Sequence, residues 1–490
     1  MSTPPLASVR LIDYRPSRAD FRSLLHLATP VIVVQLGLMS MGAVDTIMVG
    51  RVSATDLAAV AIGNLYFFGM AVFGMGILYA LDAVVSQAVG AQDERGVARG
   101  VQRGLLLAVG LSVVAMALLL PAGTLLTWAR QPADVIPVAD AYSEGLILGM
   151  FPFYAFVVFR QSLQAMATVR PIVVTVLVGT VINIGLNWVL IFGNLGVPPL
   201  GAVGSAWGTS VSRWLMVAML CVVAWEKLRP ALIPFRPEVL RPEPLVRFLK
   251  VGAPIGAQQW LEFGVFGAAG LLMGLLGTVA VASHQVALQL AALTFMIPVG
   301  VAQATSVVVG QEVGREDPPA ARRAVGAGLL VATAFMSFTA VMFLLLPGPL
   351  AALFSSDPAV VAAAAVLLPI AGVFQIFDGL QVASAGALRG VGDTRVPMLM
   401  NLLGFWVIGL PTCIGLSFGL GMGPRGVWWG LALGIGVVSI LLLFRVRRRF
   451  GRELRRLVLD VDGPDPTPDG PDAMSSGPTT GLAEVDVAAS

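Results

Sequence analysis

Long apolar stretches alternate with short polar segments along most of this chain. An α-helix that rises about 1.5 Å per residue needs about 20 residues to cross the roughly 30 Å hydrocarbon core of a bilayer. Twelve stretches have that length, at 24–49, 56–81, 101–126, 136–159, 171–193, 201–224, 248–273, 279–308, 324–347, 359–384, 396–418 and 426–446. The pattern therefore predicts an all-α integral membrane protein with twelve transmembrane helices.

Positive charge lies almost entirely at one end of the predicted helices. If the N-terminus is cytoplasmic, the cytoplasmic segments and helix ends hold all but four of the 31 Lys and Arg residues. The four exceptions are Arg51, Arg130, Arg213 and Arg425. Cytoplasmic loops of membrane proteins carry this excess of Lys and Arg, and one helix more or fewer would destroy the pattern. We therefore predict a multi-pass protein of the plasma or inner membrane with both termini in the cytoplasm.

The two halves of the chain resemble each other at an offset of about 220–226 residues. Leu-Ala-Thr-Pro at 27–30 matches Val-Gly-Ala-Pro at 251–254, and Thr-Val-Arg-Pro at 168–171 matches Thr-Arg-Val-Pro at 394–397. Six crossings return the chain to the same side of the membrane, so each repeated helix keeps its direction. The halves are therefore predicted to be parallel six-helix repeats, related by an axis along the membrane normal, around a central cavity.

This repeat divides the chain into five segments. We expect a cytoplasmic N-terminal tail at 1–23, an N-lobe at 24–224, a cytoplasmic linker at 225–247, a C-lobe at 248–446 and a basic, then disordered, cytoplasmic tail at 447–490. The first tail is polar and Arg-rich, so the first apolar run is interpreted as an uncleaved helix and not as a signal peptide. The basic start of the second tail is expected to lie against anionic lipid headgroups.

Composition agrees with a membrane protein and disfavours other classes. Hydrophobic residues make up 57% of the chain and charged residues 12%, about half the charge that is usual in soluble domains. A net charge of +3 is not the footprint of a nucleic-acid-binding protein. Two cysteines and two histidines provide no disulfide framework and no metal-ligand spacing. We expect a monomer in the lipid bilayer, with no cofactor and no nucleic-acid partner.

Asp45 lies within the first predicted helix, and Asn183 and Asn187 lie within the fifth. An ionisable residue inside a span costs roughly 2.5–3.5 kcal/mol on insertion scales, which makes it a functional candidate. The two asparagines are four residues apart and share one helix face. One carboxylate and two amide oxygens suit a proton or a hard cation such as a transient Na⁺. An alternative of equal weight is that the asparagines only join neighbouring helices.

Glu262 in the seventh predicted helix and Asp378 in the tenth are both surrounded by apolar and aromatic residues. Apolar surroundings favour the protonated form of a carboxyl group, as a proton carrier requires. Placed in one cavity, the two acids would attract an organic cation and release it when H⁺ or Na⁺ binds. Pairing with a structural cation is the alternative, but few cations lie within the spans of this half.

Polar and aromatic residues near these acids are candidates to line a cavity, because flat cations stack on aromatic faces. They are Gln258, Phe263, His284, Gln285, Phe295 and Phe374. A lone intramembrane histidine is more often a hydrogen-bonded packing residue than a proton relay, and both interpretations apply to His284. Arg213, inside the sixth helix, is expected to pair with an acid or to extend toward the membrane surface. Asp82 is expected to cap a helix or to face water.

Several short segments, taken in order, resemble the multidrug and toxic compound extrusion (MATE) family over about residues 20–450. They are Val-Asp-Thr-Ile-Met-Val-Gly-Arg at 44–51, Asn-Ile-Gly-Leu-Asn at 183–187, Pro-Ile-Gly at 254–256 with Glu262, Ala-Ser-His-Gln at 282–285, Phe-Met-Ile-Pro-Val-Gly at 295–300, Val-Gly-Gln-Glu-Val-Gly at 309–314 and Leu-Arg-Gly-Val-Gly-Asp-Thr-Arg at 388–395. Glu262 and Asp378 resemble the acidic positions of the NorM-like branch, and Asp45, Asn183 and Asn187 resemble its polar site in the first lobe.

The resemblance implies export of organic cations and drugs in exchange for H⁺ or Na⁺, by alternating access of two lobes. A flippase for a lipid-linked precursor is the alternative, because flippases of that kind are related to the MATE family. A phosphate-bearing lipid would require Arg or Lys in the cavity, and here only Arg213 qualifies. The chain also lacks a Gly-x-x-x-x-Gly-Lys-Ser/Thr phosphate loop and the Gly-x-Ser-x-Gly and His-Glu-x-x-His motifs, so ATP-driven transport and enzymatic activity are disfavoured.

Overall fold

The computed structural model describes residues 11–460. Its elements are helical, and the described residues contain no β-strand. The start of the predicted N-terminal tail, at 1–10, and the predicted disordered tail, at 461–490, lie outside the described residues. The chain enters its first long helix through Ser17, whose hydroxyl accepts a hydrogen bond from the Asp20 amide while the Asp20 carboxylate accepts one from the Ser17 amide. This reciprocal pair satisfies two amides that would otherwise have no partner at the helix start.

The first half and the linker contain ten α-helices among the described residues. They are α1 (Arg18–Val49), α2 (Ala54–Leu78), α3 (Leu81–Gly90), α4 (Glu94–Leu119), α5 (Ala122–Trp128), α6 (Ile136–Ile147), α7 (Met150–Ala165), α8 (Arg170–Phe192), α9 (Gly201–Val223) and α10 (Trp225–Leu232). The second half contains α11 (Pro242–Leu275), α12 (Thr278–Gly314), α13 (Pro318–Leu345), α14 (Pro347–Ala352), α15 (Pro358–Gly390), α16 (Arg395–Asn401), α17 (Leu410–Ile414) and α18 (Pro424–Phe450). Each predicted apolar stretch overlaps a long helix or a group of consecutive helices.

Hydropathy alone identifies most of the spans. Within the described residues, ten continuous helical segments are long and apolar enough to cross a membrane, and α6 and α7 form an eleventh as a pair bent by 50°. The remaining long helix is α11, with 34 residues. Gln258, Gln259 and Glu262 interrupt its apolar run. This helix packs along α2 of the first half, and its Glu262 accepts a hydrogen bond from Gln381 of the second half.

Three spans differ in detail from the prediction because the helices break. The third was predicted at 101–126, but α4 ends at Leu119 and Pro121 separates it from the short α5. The fourth bends at Gly149, where an added Cβ would lie 2.6 Å from the Ser210 hydroxyl oxygen. The eleventh contains π-helical turns at Leu402–Gly409 and Gly415–Gly419. Hydropathy does not detect such breaks, because they change the backbone path and leave the apolar character intact.

The two halves contact each other closely at the end of the molecule that carries the linker. Glycines allow this approach, since a Cβ at Gly76 would lie 2.5 Å from the Cα of Gly256 and a Cβ at Gly90 would overlap the carbonyl of Gln311. Gln87 also donates a hydrogen bond from Nε2 to the Gly390 carbonyl, at 2.7 Å. The halves are therefore closed against each other at this end.

Asp82 belongs to this closed end. Its carboxylate is fully buried and accepts hydrogen bonds from Gln161 at 2.7 Å and from Arg389 of the other half at 3.4 Å. The expectation that Asp82 would cap a helix or face water is wrong, because α3 packs against α12 and α15 and excludes solvent. An ion pair between the halves takes the place of water.

Residues 451–460, which we name the C-terminal strap, cross from α18 to the first half. Arg456 pairs with Asp93 at 2.5 Å, the Leu457 amide donates to Gln87 Oε1 at 2.6 Å, and Arg103 pairs with Asp460, with Nη1 and Oδ2 at 2.9 Å. The expectation that the basic segment 447–456 lies against lipid headgroups therefore does not describe Arg456, which pairs with a protein carboxylate.

Candidate functional site

Asp45, Asn183 and Asn187 form one buried cluster in the first half. Asp45 lies near the end of α1 and is 6% exposed, and both asparagines lie on α8 and are fully buried. The Asn187 amide donates from Nδ2 to Asp45 Oδ1 and also approaches Asn183 Oδ1, at 3.3 Å. The structure thus brings together the three residues that were selected from the sequence.

A third helix completes this cluster with a residue that the sequence analysis missed. Thr209 on α9 donates its hydroxyl to Asp45 Oδ2 at 3.2 Å. Its neighbour Gly208 allows the close approach, since a Cβ there would lie 2.6 Å from Asn187 Oδ1. The available signal was the group of small residues Gly204, Ser205, Ala206 and Gly208 just before Thr209, which is typical of close helix packing in membranes.

The orientation of the Asn187 amide determines whether this cluster could bind a cation. The Asn187 amide presents its nitrogen to Asp45, so hydrogen bonds satisfy the carboxylate without a bound ion. The carbonyl oxygen of Asn187 is buried and has no hydrogen-bond partner among the described residues. A hard cation needs oxygen ligands. Na⁺ binding beside Asp45 would therefore require the amide to rotate its oxygen toward the carboxylate.

One turn beyond Thr209, the Arg213 side chain points into the first half and packs on aromatic rings. Its guanidinium carbon lies 4.4 Å from the Phe67 ring centroid and 5.2 Å from that of Phe153. It forms no ion pair and no hydrogen bond that the structure describes, and its Nη1 is buried. The expectation that Arg213 pairs with an acid or extends toward the membrane surface is therefore wrong: aromatic faces surround it.

In the second half, Glu262 on α11 and Asp378 on α15 are close enough for their charges to interact. Gln381 donates from Nε2 to Glu262 Oε1 at 2.6 Å and to Asn401 Oδ1 at 3.3 Å. Asp378 is 8% exposed and receives no hydrogen bond from the described residues. Neither acid has an ion-pair partner in that part of the chain. Arg389 is close enough to Glu262 for their charges to interact, but it forms its ion pair with Asp82.

Gln381 and Asn401 are further residues that the sequence analysis missed. Gln381 follows Asp378 by three positions on α15 and so lies on the same helix face. This spacing was a usable signal. Asn401 ends α16, immediately before the π-helical segment. Its side chain reaches the site only because the two helices pack together.

The six proposed lining residues fall into two groups. Gln258, Phe263 and Phe295 are buried or partly buried, and Gln285 is exposed. Phe263 lies beside α2 of the first half, since a Cβ at Gly69 would be 3.6 Å from its ring. Phe263 therefore lies on the face of α11 that meets the first half, as a lining residue should.

His284 and Phe374 do not line an open cavity in this conformation. Their exposed fractions are 1% and 2%. The rings of both pack against Trp428, at centroid distances of 5.7 Å and 6.0 Å. Neither ring nitrogen of His284 has a hydrogen-bond partner among the described residues. The lining prediction is wrong for these two residues, because α18 covers them and makes them part of an aromatic core.

The described residues contain no group of three or more His, Cys, Asp or Glu side chains that could hold a metal ion. Cys221 and Cys413 are both free. The clusters around Asp45 and around Glu262 and Asp378 present carboxylates, amides and one hydroxyl, and aromatic rings lie nearby. Such a set can bind protons, hard monovalent cations and organic cations.

Comparison with known proteins gives a consistent result. The MatE family model matches residues 30–189 and 254–414. The multidrug resistance protein PmpM of Pseudomonas aeruginosa is 37% identical over 462 residues, which cover 90% of this chain and 94% of that protein. The multidrug resistance protein NorM of Photobacterium profundum is 34% identical and covers 88% of this chain and 96% of its own length.

Solved structures agree on the fold. The eukaryotic MATE transporter AtDTX14 superposes with a TM-score of 0.79 and 25% identity, covering 89% of this chain and 98% of its own. An outward-facing MATE family transporter of the MOP superfamily gives a TM-score of 0.79 at 19% identity, covering 92% and 99%. The prediction of an all-α membrane protein with twelve helices in two parallel repeats is confirmed. The two matches of the family model begin at Pro30 and Pro254, the prolines that the sequence repeat had paired. Together the two matches cover more than half of the chain. The chain therefore belongs to the MatE family.

Proposed function

We propose that this protein is a secondary active multidrug exporter that moves organic cations out of the cell in exchange for H⁺ or Na⁺. The observation that carries the proposal is the pair Glu262 and Asp378, which lie close enough for their charges to interact and form no ion pair with the described residues. Ionised groups in low-dielectric surroundings attract opposite charge strongly. The multidrug resistance proteins PmpM and NorM, similar along most of their length, support drugs as the class of substrate.

Exchange of the ion for the drug follows if both bind the same carboxylates. A bound H⁺ or Na⁺ neutralises the site and removes the attraction for an organic cation, so the two ligands compete. A ligand changes a conformational equilibrium only by as much as its affinities for the two states differ. Ion binding on one side of the membrane and drug binding on the other would then drive alternating access of the two halves. Asp45, with Asn183, Asn187 and Thr209, is the second candidate ion site.

The orientation of the protein is part of the proposal. The excess of Lys and Arg at the linker end places this end in the cytoplasm of a cell with a plasma or inner membrane. The halves are closed against each other at this end, through Gln87 and Gly390 and through Asp82 and Arg389. The described conformation would therefore be closed to the cytoplasm. We propose a monomer that acts as a transporter and not as an enzyme.

The test is ethidium efflux from cells that lack their own drug exporters and express wild type, Glu262→Gln or Asp378→Asn. Efflux is measured while the proton gradient and the sodium gradient are collapsed separately. We expect wild-type efflux to stop with one gradient, which identifies the coupling ion, and each variant to lose at least about tenfold in rate, because one shared carboxylate is then missing.

The matched control is Glu144→Gln, because Glu144 is an exposed carboxylate in the last turn of α6 and is not one of the residues of either cluster. This variant should retain wild-type efflux. Efflux that persists in both Glu262→Gln and Asp378→Asn would refute the assignment of the site. A membrane-inserted wild type that exports no cation would favour the lipid flippase alternative.

A further inference from the structure

A large cavity lies at the end of the molecule that carries the linker, and it includes none of the residues of the two acid clusters. Its volume is about 1510 Å³, which exceeds the roughly 300–1,000 Å³ of most small-molecule sites. The start of α1, the connection from α7 to α8 and the end of α12 line this cavity. Gln311 of α12, one of the lining residues, donates a hydrogen bond from Nε2 to the Ala165 carbonyl of α7 at 2.8 Å. The cavity therefore lies beside a contact between the two halves.

The lining of this cavity combines basic and apolar side chains. The basic residues are Arg22 and His26 of α1 and Arg170 at the start of α8, and all three are exposed. The apolar lining residues include Leu25, Pro30, Pro171 and Val308. The long apolar runs of α1 and α8 begin at residues 24 and 171, so the basic side chains lie at the level of one membrane surface. Leu25 is 42% exposed, which opens the apolar part of the cavity toward the bilayer.

No protein acid neutralises these basic side chains. The three side chains form no ion pair and no hydrogen bond with the described residues, and no described Asp or Glu lines the cavity. Two acids lie nearby in the sequence, but Asp20 pairs with Arg323 at 3.3 Å and Glu312 pairs with Arg315 at 2.5 Å. Arg is always protonated in proteins and presents a planar fork of N–H donors. The positive charge of the cavity is therefore available to an anionic ligand.

The corresponding place in the second half is built differently. The sequence repeat pairs Thr168 with Thr394, and Thr394 donates its hydroxyl to the Val251 carbonyl of α11 at 2.8 Å. Thr168 instead bonds a carbonyl of its own connection at 3.2 Å, and no hydrogen bond among the described residues joins it to α1. Lys250 of α11 lines a cavity of only about 360 Å³, which also contains the acid Glu243. The cavity of the first half is thus larger, and its described lining contains no acid.

We propose that this cavity binds one anionic glycerophospholipid of the surrounding membrane. The phosphate and the charged headgroup accept hydrogen bonds from Arg22 and Arg170, since the guanidinium fork matches the geometry of a phosphate. An acyl chain packs on Leu25 and Val308, which a free phosphate ion could not use. Basic pockets between membrane-spanning helices bind anionic headgroups in this way. Because α1 and α8 belong to the first half and α12 to the second, the lipid contacts both halves beside their closed end.

The test compares two lipids with the same acyl chains, the anionic phosphatidylglycerol and the zwitterionic phosphatidylethanolamine. Each is titrated into the purified, delipidated full chain, and the bound lipid is counted by native mass spectrometry. Wild type should bind one phosphatidylglycerol more tightly than phosphatidylethanolamine. We expect the double variant Arg22→Gln with Arg170→Gln to raise the Kd of phosphatidylglycerol about tenfold, corresponding to about 1.4 kcal/mol. The Kd of phosphatidylethanolamine should stay within about twofold, which also shows that this variant is folded.

The matched control is the double variant Lys250→Gln with Arg395→Gln. Both residues are exposed, occupy the corresponding places in the second half and lie outside the cavity, so the control removes the same charge and should leave both Kd values unchanged. The measurement involves no transport and is independent of the export function. An equal loss of phosphatidylglycerol affinity in the two double variants would show a non-specific effect of surface charge and overturn the site. Equal binding of the two lipids by wild type, or displacement of phosphatidylglycerol by inorganic phosphate, would also overturn it.

Discussion

Asp45 and Asp378 are both buried carboxyl groups, and they differ in what surrounds them. Asp45 accepts hydrogen bonds from Asn187 and Thr209, whereas Asp378 accepts none from the described residues and lies near a second acid, Glu262. A buried charge without donors or a counter-ion is costly. Binding of a proton or a cation beside Asp378 is therefore favourable. The Asp45 carboxylate already has two hydrogen-bond donors, as a structural carboxylate would.

The first prediction concerns the donor to Asp45. Asn187→Ala removes the amide that bonds Asp45 and leaves a buried carboxylate with one donor fewer, which should cost about 1–3 kcal/mol of stability. We expect a clear fall in the thermal unfolding midpoint of the purified protein. Asn194→Ala, in an exposed turn where the amide bonds the Trp188 carbonyl, is the control and should shift the midpoint much less. Equal shifts would show that the bond to Asp45 adds nothing.

Breaks within the helices and close contacts between neighbouring helices determine the architecture of this protein. α2 and α3 form one path interrupted at Tyr79 and Ala80, α6 and α7 bend at Gly149, and the eleventh span contains π-helical turns. Near each of these breaks, a glycine lies in close contact with a neighbouring helix. At membrane depth such contacts replace the hydrophobic driving force that joins helices in water.

The second prediction tests a close approach between α3 of the first half and α12 of the second half. Gly90→Ala places a Cβ against the backbone carbonyl of Gln311, which cannot move as the tip of a flexible side chain could. We expect α3 and α12 to separate, with a lower unfolding midpoint and slower ethidium efflux. Gly110→Ala on α4 is the matched control, because its Cβ meets nothing within 4 Å, and it should be neutral or slightly stabilising. If the two variants behaved alike, the close packing of the halves would not matter for function.

The whole molecule is held closed at one end by contacts between residues far apart in the chain. The C-terminal strap adds to the contacts between the halves by joining Arg456 to Asp93 and Asp460 to Arg103. Leu459 of the strap is buried, 6% exposed, against the first half. Opening this end would require the strap to detach or to move with the first half. The contacts of the strap thus help to hold the two halves closed at this end.

The third prediction uses the acidity of Asp93, which lies outside the spans and caps α4. Burial acts to raise the pKa of Asp93, but the Gly96 amide and the Arg456 guanidinium outweigh burial and hold this pKa below its ordinary value of 3.8. A lowered pKa in the folded protein means that the stabilisation exists above the ordinary value and is lost as the pH falls through the folded-state pKa.

We therefore expect Arg456→Gln to lower the unfolding midpoint by a constant amount between about pH 5 and pH 8, and the difference from wild type to shrink below about pH 4. Thermal unfolding of both proteins across this range is the measurement. Arg455→Gln is the control, since Arg455 is exposed and pairs only with the exposed Glu453. A difference that disappeared near neutral pH would contradict the role given to Asp93.

The local sequence determined the spans, the repeat and the acids. Hydropathy over about 20 residues decides whether a segment is stable in a bilayer, and this property depends only on neighbours in the chain. The cost of a charge inside a span is likewise intrinsic, so Asp45, Glu262 and Asp378 stood out without a structure. The domain boundaries and the roles of these acids in transport remain predictions.

Only the tertiary structure decided which partners these residues have. Thr209 and Gln381 reach the acids because separate helices pack side by side, and α18 buries His284, which the sequence had placed in a cavity. The same packing left Arg213 on aromatic faces and without an acid. The physical reason is that hydrogen bonds, ion pairs and burial depend on distances between residues remote in the chain, and local periodicity contains no information about those distances.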